Sequence, residues 1–233
     1  MIAKVLYKIV CNVDFDVKNQ TIGYLNVYSY SILRKNQHLL KNIDSFTLDG
    51  IFLVLLLRAL TNKKFIRLSP DFSSYFTDLF NHIDVNRKKV FFIGSSRSEL
   101  KSFLKIIESH FPRIVLIGYS DGYYQDEDGL IKKIITQRPD VVFVSMGSPK
   151  QEIFLNNLKE NGYNGQCFAC GAFFSQTADG GINYYPKNFS VFHLRWLYRI
   201  LKEPKLIKRY TIDYPIGFLH LLKDWFYDAN RTK

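Results

Sequence analysis

Four consecutive apolar residues, Val141 to Val144, run straight into a glycine-containing turn and a helical pattern in the stretch RPDVVFVSMGSPKQE, residues 138–152. An unbroken apolar run of this length suits a strand buried on both faces of a parallel sheet; a sheet with one wet face would alternate. Gly147 lets the backbone turn sharply where the strand ends. Pro149 fits a helix start, where its missing N–H costs nothing, and Ile153, Phe154 and Leu158 supply an apolar helix face. A strand–turn–helix of this kind leaves free backbone N–H groups at the carboxyl edge of a sheet, a ready anion site. On that reading Lys150, Gln151 and Glu152 point into a ligand edge. The plainer reading of the same residues is an ordinary βα turn.

The same pattern recurs along the chain. KVFFIG at 89–94 meets Gly94, and Ser95 or Ser96 can cap a helix running from Glu99. IVLIG at 114–118 leads through YSDGY into a helix over Leu130 to Gln137, and residues 166–174 read as a last core strand. Strands and helices at this rhythm imply an α/β fold: a Rossmann-like, mostly parallel sheet with helices on both faces. No G-x-G-x-x-G is present, so a dinucleotide cofactor is not supported. Residues 1–28 read as short strands or a hairpin, and Asp126-Glu127-Asp128 as a solvated loop.

Composition narrows the partners. The formal charge is +11, which points to a polyanion or an anionic membrane. Aromatic residues reach 16%, a level that favours membrane-edge or sugar contacts as well as core. The cysteines are Cys11, Cys167 and Cys170; an odd, low count argues against a disulfide framework, and the lone C-x-x-C reads as buried thiols in a strand. Nothing at the N-terminus resembles a signal peptide. The longest apolar run, Ile51 to Leu57, is far short of the ~20 residues of a spanning helix. The expected location is therefore the cytoplasm.

Two carboxylate motifs stand out. Asp14-Phe-Asp16 is formally a D-x-D, the metal–nucleotide signature of many glycosyltransferases, but alternating Val13, Phe15 and Val17 suggest an edge strand with solvated carboxylates, and metal binding is not expected. Ser45-Phe-Thr-Leu-Asp-Gly50 fits a short strand and a turn before an apolar helix. A carboxylate there is stabilised by the helix N-terminus, so Asp49 reads either as a cap or as a catalytic base facing the ligand edge.

GSPKQE after the VVFV strand, TLDG at 47–50 and LRWLYRILKEPKLIKRY at 194–210 together resemble the WecG/TagA/CpsF glycosyltransferase family. They come in the family's order and at about its spacing, over nearly the whole chain. The resemblance implies an inverting transferase that moves a sugar, of N-acetylmannosamine type or a related hexose, from a UDP donor to a polyprenyl-diphosphate-linked acceptor. The product belongs to a cell-surface polysaccharide such as a capsule, an exopolysaccharide or a teichoic acid. It makes Asp49 the base within the motif that Thr47 opens, gives Gln151 a catalytic role, and places Asn26 in the loop after the first strand as a sugar or acceptor contact. Arg67 and Asp71 match charged positions of an Arg…Gly-x-Asp motif, here with Pro70 and no glycine. The UDP charge is expected to be offset by the helix N-termini after Gly94 and Gly147 and by a basic side chain, without metal or other cofactor. The chain departs from the family at Phe174, where most relatives carry Asp, and at Tyr184-Tyr185-Pro186, where many carry Arg-Ala-Pro, which marks a divergent branch. Gln176 is the candidate replacement for one lost polar contact. The alternatives are another nucleotide-binding α/β transferase, such as a methyltransferase, and a non-catalytic membrane-associated nucleotide-binding subunit.

From Lys187 the composition shifts, and the expected division is an α/β domain over 1–185 and a basic helical appendage over 186–233. Lys187, Arg195, Arg199, Lys202, Lys205, Lys208 and Arg209 face one acid, Glu203, in residues 187–209. Arg195, Arg199 and Lys202 share a helix face, Leu194, Leu197 and Leu201 repeat alongside with Trp196 at the border, and Pro204 should end or kink the helix. This pattern fits a helix lying on an anionic bilayer at the inner face of the membrane, or one packed on the core with a solvated basic face. Arg195 and Arg199 are also candidate contacts to the substrate diphosphate. No motif supports nucleic acid, and a homo-oligomer is left open.

Overall fold

Six strands pair side by side in the order β2-β1-β6-β5-β3-β4, and every pairing is parallel. They are β1 (Thr21–Leu25), β2 (Ser45–Leu48), β3 (Lys89–Gly94), β4 (Val115–Ser120), β5 (Val141–Ser145) and β6 (Gln166–Ala169). The helices are α1 (Ile2–Leu6), α2 (Val27–Lys35), α3 (Ile51–Thr61), α4 (Phe76–Val85), α5 (Arg97–His110), α6 (Glu127–Gln137), α7 (Lys150–Glu160), α8 (Phe173–Gly180), α9 (Arg195–Lys202) and α10 (Tyr214–Arg231), with a π-helical turn over Arg209–Asp213. This computed structural model describes residues 2–186, 189 and 194–231. Lys187 lies outside them.

The apolar runs of the central strands are buried on both sides. Phe92, Phe143 and Phe168 face a core with α4, α5 and α8, while Phe91, Val142, Val144 and Cys167 face α6 and α7. Cys167 and Cys170 belong to opposite faces of the sheet, and burial pushes the Cys167 thiol up to about 12. Both are inert packing groups. A third core surrounds β1 and β2 and gathers α1, α2, α3 and α10.

Side chains far apart in sequence lock α10 onto α2. Arg34 forks onto both oxygens of Asp224 at 2.9–3.0 Å, and the Tyr30 hydroxyl donates to the same carboxylate at 2.7 Å. Burial alone would raise Asp224, but the Arg34 and Tyr30 bonds hold its carboxyl below the ordinary value. Gly217 lets the helices touch: a Cβ there would lie 2.6 Å from Val27 Cγ1.

Three segments differ from their sequence reading. Residues 1–28 form no hairpin: α1 is followed by a single parallel bridge from Ile9 to Phe46 and then by irregular chain up to β1. That chain includes Asp14 to Asp16, so the expected edge strand is absent. The alternation there reflects Val13 and Phe15 packing onto the α4 core, while Asp16 pairs with Lys88 and His82 at 3.1 Å. The acidic triplet is a helix start: the Asp126 side chain caps α6 by accepting from Gly129 N–H, and Glu127 accepts from Tyr124 and Asn157. The last strand stops at Ala169, because Gly171 turns the chain at φ +60° and Phe173 and Phe174 start α8.

Candidate active site

The carboxyl ends of the strands frame a cavity of about 480 Å³. Its floor is built from strand-to-helix turns. Gly94 has φ +139° and lies so close to β5 that a Cβ would meet Ser145 O at 2.2 Å, so only glycine fits. Ser95 follows in a left-handed conformation at φ +55°, donating its N–H to Ser145 O at 3.0 Å. Ser96, not Ser95, caps α5, which begins at Arg97 and closes a reciprocal capping box with Glu99. Gly147 turns β5 toward α7 at φ +71°. Two helix N-termini thus meet the cavity along its floor, where Ser95, Ser96, Gly147 and Ser148 line it. Lys150 projects from the first turn of α7, donates to Gly122 O and stands over Tyr123 and Tyr124.

The roof comes from the C-terminal segment. Arg199, Lys205 and Arg209 line the cavity from above, with Glu203 between them. Arg199 donates to Glu203 at 2.8 Å. Burial opposes its charge, but Tyr185 and Glu203 outweigh that and hold the guanidinium above its ordinary value. Arg209 lies over the Tyr28 ring at 4.2 Å. Lys150, Arg199, Lys205 and Arg209 therefore face Glu99 and Glu203, the latter already paired, and the cavity carries a net positive field suited to an anion.

Asp49 follows β2 and does not itself line this cavity, but its charge reaches Tyr24, which does. Its N–H donates to Leu25 O at 2.8 Å, and Ser69 Oγ donates to its Oδ1 at 2.8 Å. Oδ2 has no donor among the described residues. The cap reading does not hold: α3 begins at Ile51 behind Gly50, with no side-chain cap. Asp49's charge acts on Tyr24, Tyr75, Tyr185, Tyr210 and Tyr214, and on Asp71 and Arg195, which places it at the hub of the surrounding polar groups. Beside it, Arg195 reaches across to Asp71 at 3.4 Å and to Ser73 O at 3.2 Å, and lies over the Tyr185 ring. Burial lowers Arg195 and raises Asp71, each partly offset by the other. Arg67 is not the partner of Asp71: it makes no ion pair or hydrogen bond among the described residues, and its charge falls on both Asp71 and Arg195. Gln176 accepts from Tyr185 at 3.3 Å, behind the same cluster and outside the cavity.

Asn26 lines the cavity while capping α2, its Oδ1 accepting from Ser29 N–H at 2.8 Å. Three residues expected at the edge are buried and do not line it. Thr47 lies within β2 and donates to Gly23 O. Gln151 accepts from Gly171 N–H at 3.0 Å and donates to Glu152 at 2.8 Å, bracing the floor from beneath. Glu152 takes that bond and one from Ser148 on Oε1, has no partner for Oε2 among the described residues, and is held above its ordinary value by burial. The two arginines of α9 are the reverse of a bilayer-facing pair: Arg195 and Arg199 side chains are 10% and 14% exposed, and only Lys202, at 45%, faces out. Arg209, Lys205 and Ser69 carry site roles that local pattern does not single out. Their one sequence signal is the acid-poor run after Leu194 for the first two, and for Ser69 there is none.

A larger, open groove of about 750 Å³ runs between residues 11–16 and α4, but none of its lining residues stands at a strand's carboxyl end. Asp14 and Asp16 face it, remote from the cationic cavity, and among the described residues no group of three or more His, Cys, Asp or Glu is placed to hold a metal ion.

The parallel sheet and the cationic cavity across its strand ends define an α/β fold with a site suited to an anion. The chain belongs to the glycosyl transferase WecG/TagA/CpsF family, whose sequence profile matches residues 3–231, and it is a glycosyltransferase. A UDP-Gal:alpha-D-GlcNAc-diphosphoundecaprenol beta-1,4-galactosyltransferase from Shigella boydii is 31% identical over 197 residues, covering 83% of this chain and 82% of that protein. Two proteins named N-acetylglucosaminyldiphosphoundecaprenol N-acetyl-beta-D-mannosaminyltransferase are also similar. The one from Bacillus spizizenii is 31% identical over 73% of this chain and 65% of its own length. The one from Bacillus subtilis is 32% identical over 76% of this chain and 67% of its own length.

Proposed function

We propose that the protein transfers a hexose or N-acetylhexosamine from a UDP-sugar to a sugar carried on a polyprenyl diphosphate, with inversion, in the synthesis of a cell-surface polysaccharide. The observation that carries this reading is the nearness of the cationic cavity to Asp49, a carboxylate whose Oδ2 has no donor among the described residues. The diphosphate of the donor lies over the N-termini of α5 and α7 and under Arg199, Lys205 and Arg209, which offset its charge without a metal. The Asp49 carboxylate takes the proton of the acceptor hydroxyl as that oxygen attacks the anomeric carbon. The bond from that carbon to the diphosphate oxygen breaks, and UDP leaves with the electron pair. The names of the relatives support a GlcNAc-diphosphoundecaprenol acceptor. The work is placed at the inner face of the membrane, where a soluble donor meets a lipid acceptor. No helix among the described residues is long and apolar enough to cross a membrane.

Purified protein assayed with a panel of UDP-sugars and a short-chain GlcNAc-diphosphate lipid tests the reading. One donor should turn over, and Asp49→Asn should keep UDP binding while transfer falls ~10²–10⁴-fold, the usual contribution of a general base. Unchanged transfer in Asp49→Asn removes the carboxylate from the chemistry.

A further inference from the structure

Helix α3 begins two residues after Asp49, and its outer face is apolar. Phe52, Leu56 and Leu60 are half-buried, Ala59 is exposed, and Leu55 is 52% exposed. Leu53, Val54 and Leu57 account for the inward face and Phe52 and Leu56 pack at its margin, so Leu55, Ala59 and Leu60 form the strip beyond the core. The flank of this stripe is basic. Residues 50–70 hold Arg58, Lys63, Lys64 and Arg67 and no Asp or Glu. Arg58, Lys63 and Lys64 are exposed, and Arg58 Nε donates to the carbonyl of buried Phe65 at 2.7 Å, which ties the basic loop to the helix. Exposed Ile66 extends the apolar strip beyond the lysines. At its other end Phe52 meets Trp196 of α9 and Tyr214 of α10 at ring-centroid distances of 5.8 and 6.2 Å, so the stripe is continuous with the roof of the site.

We propose that this face of α3, with the loop 62–67, is a monotopic contact with an anionic lipid bilayer, resting on the reading that the acceptor is lipid-borne. An apolar helix face with cations at its border and no acid to repel anionic headgroups is the pattern of a helix lying in the interface plane. Charge distinguishes it from α10, which also exposes apolar residues, Ile216, Leu219 and Phe226, but follows Asp213 and carries Asp228, its Asp224 being buried against Arg34. A bilayer seated on α3 holds Asp49 at the level of the headgroups, where the diphosphate of the acceptor lies.

The test is cosedimentation of the full chain with phosphatidylglycerol vesicles, which needs neither donor nor acceptor and is independent of the transfer reading. Leu55→Glu should weaken binding about tenfold or more with an unchanged melting temperature, because the side chain is exposed. Lys63→Glu with Lys64→Glu should remove the salt-sensitive part of the affinity. Leu55→Glu should keep transfer to a short, water-soluble acceptor analogue and lose it with a long-chain acceptor in vesicles. Wild-type vesicle binding by Leu55→Glu overturns the proposal, as does loss of binding in Leu219→Glu alone. A wild-type oligomer that Leu55→Glu dissociates, with vesicle binding intact, assigns the stripe to a second copy of the chain and overturns it as well.

Discussion

The floor and the roof bring positive charge to the same cavity by different means. The floor is made of backbone: Gly94 and Gly147 place turns that no other residue fits as well, and α5 and α7 present their N-termini. Its supports are local, as in the capping box between Ser96 and Glu99, three residues apart. The roof is made of side chains, and its supports are remote: Arg195 meets a carboxylate 124 positions earlier, and α10 is held by a pair 190 apart. A floor of this kind is set once the sheet forms, whereas the roof exists only when the C-terminal segment has docked.

Substitutions in the two surfaces should have different consequences. The largest effect is expected at the joint of the roof. Arg195→Ala leaves the half-buried Asp71 carboxylate without its cation and should destabilise the fold by about 3 kcal/mol, read as an earlier thermal midpoint. Wild-type stability would show that the roof does not depend on this pair. Next, Arg199→Ala removes a charge-assisted contact worth roughly 1.5–3 kcal/mol, so the KM for the donor should rise about 10–100-fold with little change in melting. A loss confined to kcat would move Arg199 from donor binding to the transition state.

The floor responds to pH instead. Burial holds the Glu152 carboxyl above 4.5, so the folded chain keeps a proton that the unfolded chain releases. Stability from this group is full below 4.5 and declines as pH rises through the folded value. Glu152→Gln should therefore flatten the fall in thermal midpoint as pH rises above 4.5; an unchanged slope would show that another group controls it. The smallest effect is expected from chelation. With floor dipoles and roof cations offsetting the diphosphate, EDTA should leave transfer unaltered, and activity restored by Mg²⁺ after EDTA would show that they are insufficient.

The contrast also explains what was legible in the sequence. The parallel sheet could be read from VVFV and KVFFIG, because burial on both faces imposes a continuous apolar run. The turns at Gly94 and Gly147 could be read because Gly94 alone fits against Ser145 O and the φ of +71° at Gly147 favours glycine. Asp49 stood out through its neighbours Thr47 and Gly50, while its partner Ser69 did not, since nothing local marks a serine 20 positions on. The helical spacing of Arg195, Arg199 and Lys202 was correct, yet spacing gives the common face and not its direction. Arg195 and Arg199 turn inward because Asp71, Tyr185 and Glu203 stand there, and only Lys202 faces out. The edge strand expected at Val13 to Val17 failed for the related reason that alternation records burial, and an irregular strap across a core alternates as well.

The Asp71–Arg195 pair has a practical consequence for redesign. Ser69 grips the Asp49 carboxylate, and Asp71, two residues on, grips the roof. Exchanging the C-terminal segment between relatives thus also exchanges one half of the clasp beside the proposed base, so residues 69–73 and the helix bearing Arg195 should be transplanted as one cassette.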